Sequence, residues 1–446
     1  MKIIIAGAGE VGTYLAKMLS NGLNDITLID REEENLRLIE ASVDLLTVCS
    51  SATSITTLKN VNIKKADLFI SVMESETTNI VASSLAKKLG VKKTIARVDN
   101  IEYTTAENKK YLHSLGLDAI IYPEILASEE IVNLLRQTGT TKTFDFSGGR
   151  LSLNVIKLDE KAPIINKTLI EAVKLDSTFN YRAVAITRNS ETIIPHGNDT
   201  FMINDLVYVI TNQSGVEKMM KYAGKKTMAI KNVMILGGSR IGINTSKLLG
   251  STMNVKLLEK NKEKCIQIAD KLPNTLVINA DGKNIDVLID EGLKNMDAFV
   301  AVTGDTETNI LSCLLAKQYG VKRTIAEIEN MDYVALASRI GIDTIIDKKH
   351  IAASNIFSFT MEAKVSALQC LPGTDAEVME FVVADKAKIT KKPLKEINFP
   401  KGAIIGGVIR GRSSFIATGD CHIRAEDKVV IFTLPQAIDK VVDFFK

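Results

Sequence analysis

Apolar residues in this chain fall into short unbroken runs, separated by stretches in which they return every third or fourth position. The first run, Ile3-Ile4-Ile5, feeds into Gly7-Ala8-Gly9-Glu10-Val11-Gly12, after which Val11, Leu15, Met18 and Leu19 share one helical face. That is strand, glycine turn, helix. A second strand, Ile26-Thr27-Leu28-Ile29, ends in Asp30, and a charged helix is expected over Arg31–Ala41. Further strands are read around Leu45–Cys49, over Ala66–Met73 as a buried parallel run, over Thr94–Val98 and over Leu117–Ile121, with a helix opening at Glu76-Thr77-Thr78-Asn79 and running to Leu89. Strands and helices alternating at these lengths predict an α/β fold, a Rossmann-like doubly wound parallel sheet over about residues 1–125.

In such sheets ligands sit at the carboxyl ends of the strands, and Gly7–Gly12, Asp30, Ser50–Ala52, Met73-Glu74 and Arg97 all fall there. The glycine spacing suits a dinucleotide. Gly7 permits the tight turn, Gly9 leaves backbone bare where a pyrophosphate must approach, and Gly12 lets the helix lie close to the strand. Free N–H groups at the helix start would face the phosphates, and Asp30 stands where a carboxylate reaches a ribose diol.

About 230 residues on, the phrase recurs as Asn232-Val233-Met234-Ile235-Leu236-Gly237-Gly238-Ser239-Arg240-Ile241-Gly242, with Glu259 in the place of Asp30. Asp67-Leu68-Phe69-Ile70 returns as Asp297-Ala298-Phe299-Val300, Thr77-Thr78-Asn79-Ile80 as Glu307-Thr308-Asn309-Ile310, and Gly90-Val91-Lys92-Lys93-Thr94-Ile95-Ala96 as Gly320-Val321-Lys322-Arg323-Thr324-Ile325-Ala326. The chain is a tandem duplication. Between the copies lie short strands at Leu151–Leu158, Ala183–Thr187 and Leu206–Ile210, with turn signals at Gly148-Gly149 and His196–Asp199. Their closing pattern, Asp205-Leu206-Val207-Tyr208-Val209-Ile210, reappears as Asp427-Lys428-Val429-Val430-Ile431-Phe432, so a small α+β subdomain is duplicated too. The expected layout is 1–125 and 230–350 for the nucleotide-binding domains, 141–223 and 365–446 for the subdomains. Glu124–Gln137 and Lys349–Met361 read as connecting helices, and Ala223-Gly224-Lys225-Lys226 as a link between halves.

Composition narrows the function. Hydrophobic residues make up 46% and charged ones 24% of 446, and the net charge is only +3 with no long Lys/Arg tract, so nucleic acid is not suggested. The five cysteines lie far apart without a CxxC pair, and the four histidines lack metal-ligand spacing, which argues against a disulfide framework and a zinc site. No apolar run approaches the roughly 18 residues of a membrane span, and a strand starts at once, leaving no room for a signal peptide. A soluble, intracellular protein is expected.

Candidate chemistry is that of binding. Neither glycine-bearing domain offers a His or Lys at a strand end to serve as acid or base; His113 reads as helix face and His350 as part of a basic turn. GxSxG and P-loop patterns are absent. Asp30 and Glu259 read as ribose ligands or as exposed strand ends. Arg97 reads as a phosphate contact or a surface ion pair, and its counterpart is Glu327. Arg240, replacing Glu10, offers a guanidinium to a terminal phosphate, which suits ATP or ADP. Ser239 puts a side chain where the middle glycine leaves none, so the second cradle is expected to bind more weakly or to stay empty.

The order GAGEVG…ID, DLFISV…ETTNIVAS, LGVKKTIARV, a small domain, and then the set again with GGSRIG resembles the TrkA family, prokaryotic potassium-uptake regulators built from two RCK (regulator of potassium conductance) units. The resemblance covers nearly the whole chain. It implies a non-enzymatic cytoplasmic subunit, assembled as a ring-shaped homotetramer, peripheral on the inner face of the cell membrane. Such a subunit gates a TrkH- or TrkG-type potassium transporter in response to NAD(H), ATP or ADP. Carried over by motif, the first site comprises Gly7, Ala8, Gly9, Glu10, Val11, Asp30, Ser51, Ala52, Met73, Glu74 and Arg97; the second comprises Gly237, Gly238, Ser239, Arg240, Ile241, Glu259 and Asp281. Where many relatives carry Gly-Asp-Ala-Thr, the first copy has Ser50-Ser51-Ala52-Thr53 and only the second keeps the acid, Asp281. The alternatives are a NAD-dependent oxidoreductase with a duplicated fold and a free-standing nucleotide-binding scaffold.

Overall fold

Ile3, Ile4 and Ile5 have no exposed surface, which is the consequence of a strand covered on both faces by helices. The computed structural model describes all residues except 21–23, 42, 137–141, 148, 176–180, 189–190, 213–214, 225–229, 330, 360–364 and 371–375. The expected link at residues 225–226 lies outside the described residues.

The first copy runs β1 (Lys2–Ala6), α1 (Glu10–Ser20), β2 (Asp25–Asp30), α2 (Glu33–Glu40), β3 (Leu46–Cys49), α3 (Ile55–Asn60), β4 (Leu68–Ser71), α4 (Glu76–Lys88), β5 (Lys93–Arg97), α5 (Ala106–Ser114), β6 (Ala119–Ile121) and α6 (Pro123–Arg136). Its six strands are parallel in the order β3-β2-β1-β4-β5-β6, so the winding reverses between β1 and β4, where such sheets bind ligands. β4 is shorter than the run from Ala66 suggested. Asp67 accepts the Lys2 amide at 2.8 Å and pairs with Lys92, pinning the strand's entrance instead of extending it.

A five-stranded antiparallel sheet follows, from β7 (Lys142–Phe146), β8 (Leu151–Lys157), α7 (Leu169–Lys174), β9 (Tyr181–Arg188), β10 (Glu191–Ile193), β11 (Leu206–Thr211) and α8 (Val216–Tyr222), in the order β10-β9-β11-β8-β7. The second copy repeats the parallel sheet with β12 (Asn232–Leu236), α9 (Arg240–Leu249), β13 (Asn254–Glu259), α10 (Lys262–Lys271), β14 (Thr275–Asn279), α11 (Ile285–Asp290), β15 (Ala298–Ala301), α12 (Thr306–Gln318), β16 (Arg323–Glu327), α13 (Met331–Ile340), β17 (Thr344–Ile346) and α14 (Lys348–Ser358). It repeats the antiparallel one with β18 (Val365–Cys370), β19 (Glu377–Val382), β20 (Ala403–Arg410), β21 (Ser413–Ile416), β22 (Lys428–Thr433) and α15 (Ile438–Phe445). The repeated aspartate before β11 and β22 has the same task each time. Asp205 takes Arg188 through two bonds of 2.8 Å, and Asp427 takes Arg410 through bonds of 2.8 and 2.7 Å.

The chain divides into two compact units. One holds Met1–Leu126 and Lys348–Met361, so the helix read as a connector belongs with the first parallel sheet. There α14 lies on α1, with the rings of His350 and Tyr14 4.3 Å apart. His350 is therefore a helical residue packed on an aromatic ring and not part of a turn; the lysines at 348 and 349 open a helix because apolar Ile351, Ala352 and Ile356 follow at helical spacing.

The other unit holds Ala127–Asp347 and Glu362–Lys446. In it α6 lies along α9, the buried Ser128 hydroxyl donating to the Ile241 carbonyl at 3.3 Å. Its two antiparallel sheets share one core of Leu151, Val184, Ile210, Val378, Val430 and Phe432. The fit is close enough that a Cβ on Gly406 would stand 2.0 Å from Ile210 Cδ1, and one on Gly407 2.6 Å from Leu151 Cδ1.

Candidate nucleotide-binding cradles

In the first cradle the three glycines have three separate reasons. Gly7 has φ of +106°, and a Cβ there would meet the Met73 amide nitrogen at 2.9 Å, so the turn is pressed against the exit of β4. A Cβ on Gly12 would stand 1.8 Å from the Gly7 carbonyl oxygen, which excludes any side chain from the first turn of α1. Gly9 differs. It has ordinary backbone geometry and nothing within 4 Å of where its Cβ would be. The fold does not require glycine at that position.

Asp30 leaves β2 beside this turn, its carboxylate accepting the Ala8 amide at 2.5 Å and the Glu32 amide at 2.8 Å while staying partly exposed. Ser51 sits at the end of β3, its hydroxyl accepting from the Arg31 guanidinium at 2.9 Å, and Ala52 is buried behind it. Met73 and Arg97 are tied together by a residue the motif comparison did not single out. Asn79, fully buried on α4, accepts the Met73 amide and donates to the Met73 and Arg97 carbonyls, at 2.9, 2.9 and 3.0 Å. It fixes the exits of β4 and β5 relative to each other. Its signal was present, since Asn returns in both copies of the threonine-rich helix start. Arg97 reaches toward Glu124 Oε1 at 3.8 Å. Val11 is buried on the core side of α1, and Glu74 is exposed just beyond β4.

The second cradle keeps the frame and changes the lining. Gly237 has φ of +111°, a Cβ on Gly242 would lie 2.0 Å from the Gly237 carbonyl oxygen, and Asn309 repeats the clamp onto Thr303 and Glu327. Ser239 caps α9 by accepting the Gly242 amide at 3.2 Å, a bond that Gly9, lacking a side chain, cannot make in the first cradle. Arg240 is the first residue of α9, and Ile241 is buried. Glu259 is one methylene longer than Asp30 and folds inward. Burial pushes its pKa up, but the Asn261 amide at 2.9 Å, Lys264 at 3.2 Å and the Gly238 amide at 3.1 Å outweigh this and hold it below the ordinary glutamate value. A Cβ on Gly238 would lie 2.5 Å from Ile268 Cδ1 and 2.8 Å from Glu259 Oε2, so both the α10 isoleucine and the longer acid crowd that position. Asp281 accepts the Lys283 amide at 3.0 Å, and a Cβ on the adjacent Gly282 would strike Leu236.

Two sets of family models partition the chain. The TrkA-N domain matches residues 3–123 and 233–348, and the TrkA-C domain matches 155–224 and 378–446. The chain belongs to the TrkA family. The Trk system potassium uptake protein TrkA homolog 1 of Methanosarcina mazei is 32% identical over 455 residues, with both chains covered in full. TrkA of Haemophilus influenzae is 30% identical, covering 97% of this chain and 95% of its own length. Among solved structures, the GsuK RCK domain superposes with a TM-score of 0.62 at 14% identity, covering 99% of this chain and 94% of that one. The GsuK channel bound to NAD gives 0.61 at 15% identity, covering 100% and 78%. These similarities show a tandem RCK-type fold. Among the described residues no helix is long and apolar enough to cross a membrane, and no three His, Cys, Asp or Glu side chains gather as a metal site.

Proposed function

We propose that this TrkA-family chain is a non-catalytic regulatory subunit of a potassium-uptake system, sensing NAD(H) and adenine nucleotides through its two glycine cradles, each borne on a domain followed by an antiparallel subdomain as laid out from the sequence. One observation carries the reading: Gly9 is bare where the fold itself has no need of glycine. Family membership supplies the rest. Relatives over the full length are named as potassium-uptake proteins, and a structural neighbour is a channel holding NAD. On this reading the first cradle takes a dinucleotide, with Asp30 on a ribose and the α1 amides on the phosphates. The second, with Arg240 at its rim and Ser239 over its amides, favours a terminal phosphate, as in ATP or ADP. The protein would work as a homotetrameric ring on the cytoplasmic face of a TrkH- or TrkG-type transporter.

A ligand shifts a conformational equilibrium only through unequal affinity for its states. The test is calorimetry with NADH, NAD, ADP and ATP, followed by small-angle scattering of the oligomer with each ligand at saturation. Binding without NADH turnover, accompanied by a changed scattering curve, is expected. Oxidation of NADH in the presence of small carbonyl compounds would favour the oxidoreductase reading, and identical scattering curves would refute regulation by domain rearrangement.

A further inference from the structure

The first cradle contains an apparent contradiction. Glu10 is the first residue of α1 and follows Gly9 directly, so it brings a negative charge to the helix start that a phosphate would approach. An acid there suits the helix dipole of the empty cradle but repels a diphosphate. The cation that resolves this lies 339 positions further along the sequence. Lys349, in the first turn of α14, places Nζ 2.6 Å from Glu10 Oε1. Its side chain is only 12% exposed, whereas that of Glu10 is 65% exposed.

The helix that carries the ammonium is held by more than this ion pair. The next residue, His350, packs its ring at a tilt against Tyr14 one turn along α1, with the Tyr14 hydroxyl 2.7 Å from Nε2. α14 is thereby seated on α1 independently of the Glu10 pair. A lysine ammonium has three donors, so one bonded to a carboxylate can also donate to a phosphate oxygen arriving beside it. The duplication supplies a second argument. At the sequence-equivalent positions Glu10 is replaced by Arg240 and Lys349 by Glu124, an exchange of both charges together. The second loop carries its own cation; the first borrows one.

We propose that Lys349 is a phosphate ligand of the first cradle, contributed by the helix that leaves the second parallel sheet. This rests on the reading of that cradle as a nucleotide site. Binding then depends on α14 being seated, and a bound diphosphate draws on the same ammonium that holds Glu10.

Full-length protein is titrated with ADP and with adenosine, which lacks phosphate. Arg240→Ala, confined to the second cradle, identifies which binding class belongs to which cradle. Lys349→Ala is expected to weaken ADP binding at the first cradle about tenfold or more, the loss of a charge-assisted hydrogen bond, and to leave adenosine unchanged. Glu10→Gln is expected to strengthen ADP binding, and Lys349→Arg to retain it. Should alanine loosen α14, as read by thermal melting, Lys349→Met keeps the apolar stem and removes only the charge. ADP affinity unchanged in Lys349→Met, or ADP and adenosine weakened equally, would overturn the role given to Lys349. If ADP binding ignores Lys349 yet falls in Gly9→Ala, the cradle stands and Lys349 alone is refuted. If the unaltered chain binds neither ADP nor NADH, the cradle reading fails first and this one with it.

Discussion

Gly9 and Gly12 lie three residues apart in one loop, and adding the same methyl group to each should give opposite results. At Gly12 the added Cβ would stand 1.8 Å from the Gly7 oxygen, 3.0 Å from its carbonyl carbon and 3.3 Å from Val72 Cγ2. Contacts of this kind relax only if α1 slides away from β1 by more than an ångström, an overpacking cost of about 1–3 kcal/mol. At 2–4 °C per kcal/mol for a domain of this size, Gly12→Ala should lower the melting temperature by roughly 2–12 °C. Gly9→Ala meets nothing within 4 Å and needs no unusual φ. Its main effect on folding acts through the unfolded chain, whose entropy it reduces, so stability should hold or rise by about 0.4–1 kcal/mol. Binding reverses the order of interest. A methyl group at position 9 occupies the approach of the pyrophosphate, and losing one charge-assisted hydrogen bond of about 1.5–3 kcal/mol weakens NADH by roughly ten- to a hundredfold. Thermal melting followed by calorimetry on both variants checks this. A Gly9→Ala protein that melts normally and binds NADH normally would refute the argument that this glycine is kept for a ligand.

Further outcomes follow from single side chains. Glu377, on β19, is 5% exposed, and burial raises its pKa to about 8. In the unfolded chain it ionises near pH 4, so its contribution is fully present below that pH and is lost as pH rises toward 8, up to roughly 5 kcal/mol. Glu377→Gln should flatten the fall in urea-measured stability between pH 5 and 8, and parallel pH profiles for the two proteins would disprove it. Asn79→Ala leaves the Met73 and Arg97 backbone groups unmatched in the interior and should cost roughly 3 kcal/mol on denaturant titration, with weaker NADH binding. Ser239→Gly returns an α9 amide to the second cradle and should raise ADP affinity there while lowering stability by only a few tenths of a kcal/mol.

Local rules made the parallel sheets and the glycine turns legible. Ile3–Ile5 can only be a buried strand, and a loop with glycine at 7 and 12 is dictated by contacts within ten residues of sequence or across one strand. The duplication made the second copy readable from the first. What periodicity could not give was destination. The helix over 349–361 was legible, but nothing in its pattern says that it packs on Tyr14, more than three hundred residues earlier. The pairing of Ala8 with Asp30 and of Gly238 with Glu259 was likewise invisible, because it depends on the reach of an acid 21 or 22 residues away. The Asn79 clamp was written in both copies but had no meaning before the strand exits came together.

The close seating of Gly406 against Ile210 and Gly407 against Leu151 bears on how the duplication is maintained. The second small subdomain presents bare backbone at Gly406 and Gly407 to the Ile210 and Leu151 side chains of the first, so a side chain gained on one face would require a loss on the other. A chain cut between its halves would release two pieces with bare apolar flanks, each complementary to the other. Fusion into one polypeptide fixes which mate is taken, and two once-equivalent halves then become free to diverge everywhere except where they touch.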